Sequence, residues 1–422
     1  MSPRSFSLLL VLALGLVGCG RDPFAVLAPN GGRPPERIAF VGSEGDLYTV
    51  APDGSALARL SQPQSGDGPA HSVHVWPSWS PDGRRIAVVR ADVDADGEAT
   101  TSGLYILPAA GGSSRLAFSA EGALPFFYAW APDSRSIALL SQEGGAISLR
   151  VAPVDGSAGG VVASGRSLYL GWAPDGAALA AHLDGDADQA SGARVSTLSV
   201  RGGAAARDLP VRPNGFRTPA YADAGHSVVV GGPAPSGSPA VLALPLDGST
   251  PRTLLETAST PTFVLSPRGD RVAVTNEAPT GGGLQVGLDL VDLAGGATTR
   301  LYGGPIVAFF WAPDGRRLAW VAADLANRQL VWYVGDGRSD PERVTVFLPS
   351  QQLAQTLFFF DQYAATTAIW SPDSRSLLFT GWIDDLADGP SRVWVVEAAA
   401  NARPRALADG LSASWSPPPP RS

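Results

Sequence analysis

The sequence predicts an all-β chain: a single β-propeller of eight four-stranded blades, with seven as the alternative count, closed by its own N- and C-terminal strands. Three observations predict it. An aromatic-anchored turn recurs at near-regular spacing, a second small-residue turn follows each of the first seven copies, and the two ends of the chain hold complementary parts of one repeat. Composition agrees with this. Of 422 residues, 49 are Gly and 37 are Pro, well above average usage, while charged residues are only 17%. Such a chain has many tight turns and few solvated helices, and its 45% hydrophobic content is enough to bury a core.

The anchors read in order as Trp79-Ser-Pro-Asp-Gly83, Trp130-Ala-Pro-Asp-Ser134, Trp172-Ala-Pro-Asp-Gly176, Trp311-Ala-Pro-Asp-Gly315 and Trp370-Ser-Pro-Asp-Ser374. Weaker copies stand at Tyr221 and Leu265, and a terminal one at Trp415. The second landmark is read at Gly111, Asp155, Gly202, Asp247, Gly295 and Asp336, in degenerate form near Ala400, and ahead of the first anchor at Asp53. Both landmarks occur eight times. Between them lie short apolar runs such as Arg85-Ile-Ala-Val-Val89, Ser136-Ile-Ala-Leu-Leu140 and Arg392-Val-Trp-Val-Val396, which read as buried strands. Four strands per repeat, here named A (ending at the anchor), B, C and D, define a propeller blade. In the five strong anchor turns Pro fixes φ, and Asp with Gly or Ser completes the bend. Six of the eleven Trp, at 79, 130, 172, 311, 370 and 415, are thus structural anchors, expected to wedge between neighbouring blades.

The first repeat has a B strand (Arg37 to Val41), a C strand (Asp46 to Val50) and a D strand (Leu57 to Leu60), but no anchor before them. The last has an anchor strand (Leu411 to Trp415) and no B strand after it. Each end supplies what the other lacks, and joining them hides two open sheet edges. These turns, with the Ile-Ala strand and the Leu-Tyr hairpin that follow, resemble the repeats of the TolB-like and prolyl-oligopeptidase families over residues 36–417. The resemblance implies the fold. The α/β domain of the one family and the hydrolase domain of the other have no counterpart in the sequence, so neither family's activity is implied.

The first residues carry one arginine, an apolar run from Phe6 to Val17, and Gly18-Cys19. Such a run reads as a secretory signal and is too short to span a bilayer. Leu16-Val17-Gly18-Cys19 resembles the lipobox of bacterial lipoproteins, which implies cleavage before Cys19 and its lipidation; the alternative is an ordinary signal peptide. The domains expected are a signal peptide at 1–18, a lipidated tether at 19–35, the propeller at 36–417 and a Pro-rich tail at 418–422. The resemblance places the chain in the cell envelope, on the outer membrane in a cell that has one. One cysteine excludes an intrachain disulfide, and the absence of lysine excludes Schiff-base chemistry. A formal charge of −8 speaks against nucleic acid.

Because strands alternate in direction, the A–B and C–D turns share one face and are uniformly short. The B–C loops and D–A connectors share the other, where lengths vary. Variable loops on a rigid ring are where binding residues gather. On that face Asp92, Asp94, Asp96 and Glu98 match the first half of a calcium loop, with a solvated acidic tip as the bland alternative. The longest connector, at 347–367, carries Phe358, Phe359, Phe360 and Tyr363 as a candidate contact patch. No nucleophile elbow is present. The expected role is a monomeric, non-catalytic scaffold, anchored in the membrane by lipid, for an envelope protein or glycan. The alternative is a propeller hydrolase or lyase using a divalent ion at the loop face.

Overall fold

The structure is a computed structural model describing residues 36–61, 71–94, 99–120, 123–157, 159–184, 192–200, 206–215, 217–277, 284–383 and 389–418. It is a β-propeller. Among the described residues, five sheets have four antiparallel strands each and one has ten. The closing sheet pairs Ser412–Trp415 with Ile38–Val41, in the register Ile38 to Trp415 and Val41 to Ser412; Leu47–Val50 and Ala58–Arg59 follow outward. The two ends of the chain therefore share one sheet, as the sequence requires.

Residues 38 to 41 are at most 2% exposed, because the strand is covered on both faces. Side chains alternate along a strand, so Ala39 and Val41 pack with Trp79, Ile86 and Val88 of the next sheet. Ile38 and Phe40 pack the other way, with Leu378, Val393 and Trp415. Similar clusters join each sheet to its neighbour around the ring.

The anchor tryptophans do more than fill space. Each of five indole N–H groups donates to the carbonyl just before the preceding anchor: Trp79 to Ser414, Trp130 to Ser78, Trp172 to Ala129, Trp311 to Val264 and Trp370 to Phe310, at 3.0–3.2 Å. A phenyl or aliphatic side chain offers no such donor. At the seams headed by Tyr221 and Leu265, outer-strand arginines bond the next sheet's C–D turn instead, Arg207 to the Leu246 carbonyl and Arg252 to that of Leu293. The turns interlock too. Ser134 and Ser374 take the left-handed conformation that glycine holds elsewhere, with φ of 60° and 63°. Their hydroxyls accept from the Asp82 and Asp314 N–H of the preceding turn, an interaction glycine cannot make.

In the ten-stranded sheet Thr298–Trp311 runs for 14 residues. Its first part is the outer partner of Gln285–Asp292, and its last part is the inner partner of Leu318–Asp324. A second junction joins Glu342–Pro349 to Ser376–Trp382 through the pairs Leu348–Trp382 and Pro349–Gly381. Gly381 has φ +141°, and a Cβ there would lie 1.9 Å from the Leu348 carbonyl oxygen. The position admits only glycine. Gly381→Ala is expected to cost at least 2 to 3 kcal/mol, roughly, since neither the backbone conformation nor the junction can absorb the methyl. Urea denaturation reads this, and an unchanged midpoint would show that the junction is pliable.

Candidate functional site

The variable-loop face is built differently from the sequence expectation in its longest connector. Residues 350–371 contain neither Gly nor Pro, and they are not a loop. Helix α1 (Gln351–Phe358) begins at Ser350, whose hydroxyl accepts from the Leu353 N–H at 3.1 Å and donates to the Leu411 carbonyl at 2.6 Å. Leu353, Thr356 and Leu357 form its buried face. A single turn, α2 (Phe360–Tyr363), follows.

This segment crosses the centre of the ring, touching innermost strands on opposite sides. Phe360 packs on Phe309 with ring centroids 4.5 Å apart. Tyr363 meets Phe127 edge-on at 5.3 Å and donates to the Phe126 carbonyl at 3.1 Å. The Asp361 carboxylate accepts from the Thr218 N–H at 3.1 Å, the Ser78 hydroxyl donates to the Thr366 carbonyl at 3.1 Å, and the Ala368 N–H reaches Ser414 Oγ at 3.4 Å. The segment is a central plug. Around it, the cleft lined by Trp76, Pro77, Leu353 and Ser412 has a volume of about 20 Å³, room for one water.

Four ionisable groups surround the plug's tip. Asp361 is half-buried, with its carboxyl closely surrounded by protein. Desolvation therefore pushes it above the ordinary carboxylate range, while the Arg217 guanidinium and the Thr218 N–H pull it down. Arg217 also donates from Nε to the Pro261 carbonyl at 3.1 Å. Burial lowers His182 to about 4 and raises Tyr169 to about 12, so both are neutral at pH 7. Sequence reading singles out none of these as functional, because their meeting depends on a helix signalled only by the absence of Gly and Pro and by Ser350 ahead of Leu353 and Leu357.

The aromatic candidates divide. Phe360 and Tyr363 are 2% and 6% exposed, so their reading as contact residues is corrected: they fasten the plug. Phe358 and Phe359 are 78% and 38% exposed, edge-on to each other at 4.8 Å. Of the calcium candidates, Asp92 lies in the strand Arg85–Val93 rather than in a loop. Its carboxylate pairs with Arg90 at 2.7 Å and accepts from Ser72 Oγ at 2.6 Å and Thr101 Oγ1 at 2.9 Å. Its oxygens are occupied by protein donors, so Asp92 does not fit a metal ligand's role. Asp94 ends a described stretch, while Asp96 and Glu98, like Cys19, lie outside the described residues. Among the described residues no three His, Cys, Asp or Glu side chains converge as a metal site. His74 is buried with Nδ1 at 2.8 Å from the Gly45 carbonyl, a packing role. All six anchor tryptophans are in interblade packing, with Trp172 half-buried and the others at most 8% exposed.

The sequence matches no protein family profile and no curated protein. Among solved structures, the chain is similar to a prolyl endopeptidase over 82% of its own length and 50% of that chain, at 12% identity and a TM-score of 0.54. It is similar to an oligogalacturonate lyase in complex with manganese over 88% of its length and 98% of that chain, at 15% identity and a TM-score of 0.51. With TolB from Acinetobacter baumannii it shares 17% identity over 62% of each chain, at a TM-score of 0.38. The chain thus spans about three fifths of that TolB and half of the endopeptidase. At these identities the likeness concerns architecture: the chain has the β-propeller fold.

Proposed function

We propose that this chain is a lipid-anchored envelope scaffold: an eight-bladed ring held to a membrane through Cys19, monomeric, without catalytic activity, that offers its variable-loop face to an envelope protein or glycan. The observation that carries this reading is the plug. It fills the ring centre, where a propeller would hold a small substrate, and presents Phe358 and Phe359 to solvent on a base fixed by Phe360 and Tyr363. Aromatic side chains held rigidly on a surface bind at low entropic cost. No ionisable side chain occurs from Ser350 to Phe360, and depletion of charge with enrichment of aromatics characterises interface centres. The described ends of the chain meet on the opposite, short-turn face, where the Arg37 and Ser416 backbones bond, so a tether there leaves the loop face open.

Crosslinking in native cells tests the reading. The Phe358→Ser/Phe359→Ser variant is expected to fold with stability within about 0.5 kcal/mol of the parent, yet to lose the principal crosslinked species. An unchanged crosslink pattern would remove the loop face from consideration. Separately, labelling with a lipid precursor should mark the parent and not Cys19→Ser; label on both would overturn the anchor.

A further inference from the structure

We propose that the central plug is proton-linked: residues 350–368 dock more firmly on the ring when Asp361 is protonated, so that the centre tightens on acidification and loosens towards alkaline pH. This goes beyond partner binding and is independent of it. The plug is rooted at Pro349 and crosses to inner strands on the far side, so its docking depends on contacts made along α2. Most of those contacts are apolar or backbone-directed: Phe360 on Phe309, and the Tyr363 hydroxyl on the Phe126 carbonyl. Asp361 is the one acid among them, since residues 350–371 contain no other ionisable side chain but Tyr363 and Asp373 comes only after Trp370.

The groups that face Asp361 are Arg217 and Thr218 of the preceding connector and Tyr169 of the strand Ser167–Trp172, with His182 behind them at the Arg217 backbone. The Arg217 charge acts on this carboxyl, while its Nε donates to the Pro261 carbonyl at 3.1 Å. The sign follows from linkage. The docked carboxyl is held above its ordinary range by burial, so the docked state takes up a proton that the undocked state has released. Docking is then strongest below the ordinary carboxylate value and weakens as pH rises through the raised one. Arg217 limits the effect without reversing it. His182, lowered to about 4, stays neutral above pH 5 and does not contribute there.

Hydrogen exchange of the mature chain reads this locally, at amides such as Tyr363 and Ala364, which bond the carbonyls of Phe359 and Phe360. After correction for intrinsic rates, protection of α1 and α2 relative to Leu318–Asp324 is expected to fall between pH 5 and pH 8, as the raised carboxyl completes its ionisation. In Asp361→Asn, a carboxamide that cannot ionise, it should stay constant and match the parent's low-pH value. Tyr363→Phe serves as control, with less protection throughout but the pH dependence retained. Parent protection that does not change with pH would overturn the proposal. So would an Asp361→Asn chain, folded by circular dichroism, that is less protected than the parent at both pH values, because the attraction between Arg217 and an ionised Asp361 would then outweigh the cost of burying the charge. An Asp361→Asn chain that does not fold leaves the test to the parent and Tyr363→Phe profiles, where a flat pH response again overturns it.

Discussion

A chain ending at Gly410 is expected to lose its cooperative fold, whereas one ending at Pro418 should unfold like the parent. The shorter chain lacks Ser412–Trp415, and with it all four residue pairs to Ile38–Val41. It also lacks three acceptors that other parts of the ring use: the Ser414 carbonyl for the Trp79 indole, the Leu411 carbonyl for Ser350, and Ser416 Oγ for the Arg37 N–H. Trp415 alone is 2% exposed, and removing a buried tryptophan side chain costs about 3 to 5 kcal/mol. Added to the lost ladder and to an exposed edge, this approaches the roughly 5 to 15 kcal/mol that separates native from unfolded domains. Scanning calorimetry and limited proteolysis of the two chains check it. A sharp transition in the chain ending at Gly410 would mean that the ring does not depend on its closure.

Trp370→Ala is expected to cost about 3 to 5 kcal/mol, and Trp370→Phe about 1 to 2 kcal/mol. The indole is 3% exposed, donates to the Phe310 carbonyl at 3.0 Å, and carries the Arg317 guanidinium 5.3 Å from its centre. Alanine removes the packing, the hydrogen bond and the stacking surface together. Phenylalanine keeps most of the volume but leaves a buried carbonyl without its donor, so the difference between the variants separates packing from hydrogen bonding. Urea denaturation gives both numbers. If the two variants were equally stable, the indole N–H would contribute nothing and the preference for Trp would be a matter of size alone.

The ring is legible in the sequence because its repeat is punctuated. Turns with Pro, Asp and Gly at fixed offsets have one local solution, and apolar runs of four or five between them have to be buried. The pairing of the two end strands follows from what each end lacks. The plug is less legible. Its helical signal is there, in Ser350 ahead of Leu353, Leu357 and Phe360 and in 22 residues without a breaker, but an all-β frame makes a long connector read as a loop. Asp92 shows a different limit. Acids at alternate positions look alike in a calcium loop and in a strand, and only the cross-strand neighbours Ser72 and Thr101 distinguish the two. The wedge role of the six anchors follows from their spacing. Their hydrogen bonds do not, since the acceptors lie 43 to 60 residues away along the chain, or 335 for Trp79.

The unbroken ribbon from Pro261 to Asp409 makes that arc mechanically unlike the rest of the ring. On that arc, main-chain bonds run from one repeat into the next, and sliding one sheet past another would break the ladder at Thr298–Trp311 or at Leu348–Trp382. Across the remaining arc, no strand ladder among the described residues crosses from one sheet to the next; the joints are mostly side chains, with isolated main-chain bonds such as the His74 N–H to the Gly45 carbonyl at 2.9 Å, so small shears need not disrupt a ladder. Breathing of the circle is thereby easier between the separate sheets, and the ribbon serves as the frame in which the central segment is rooted and from which it reaches across to the other side.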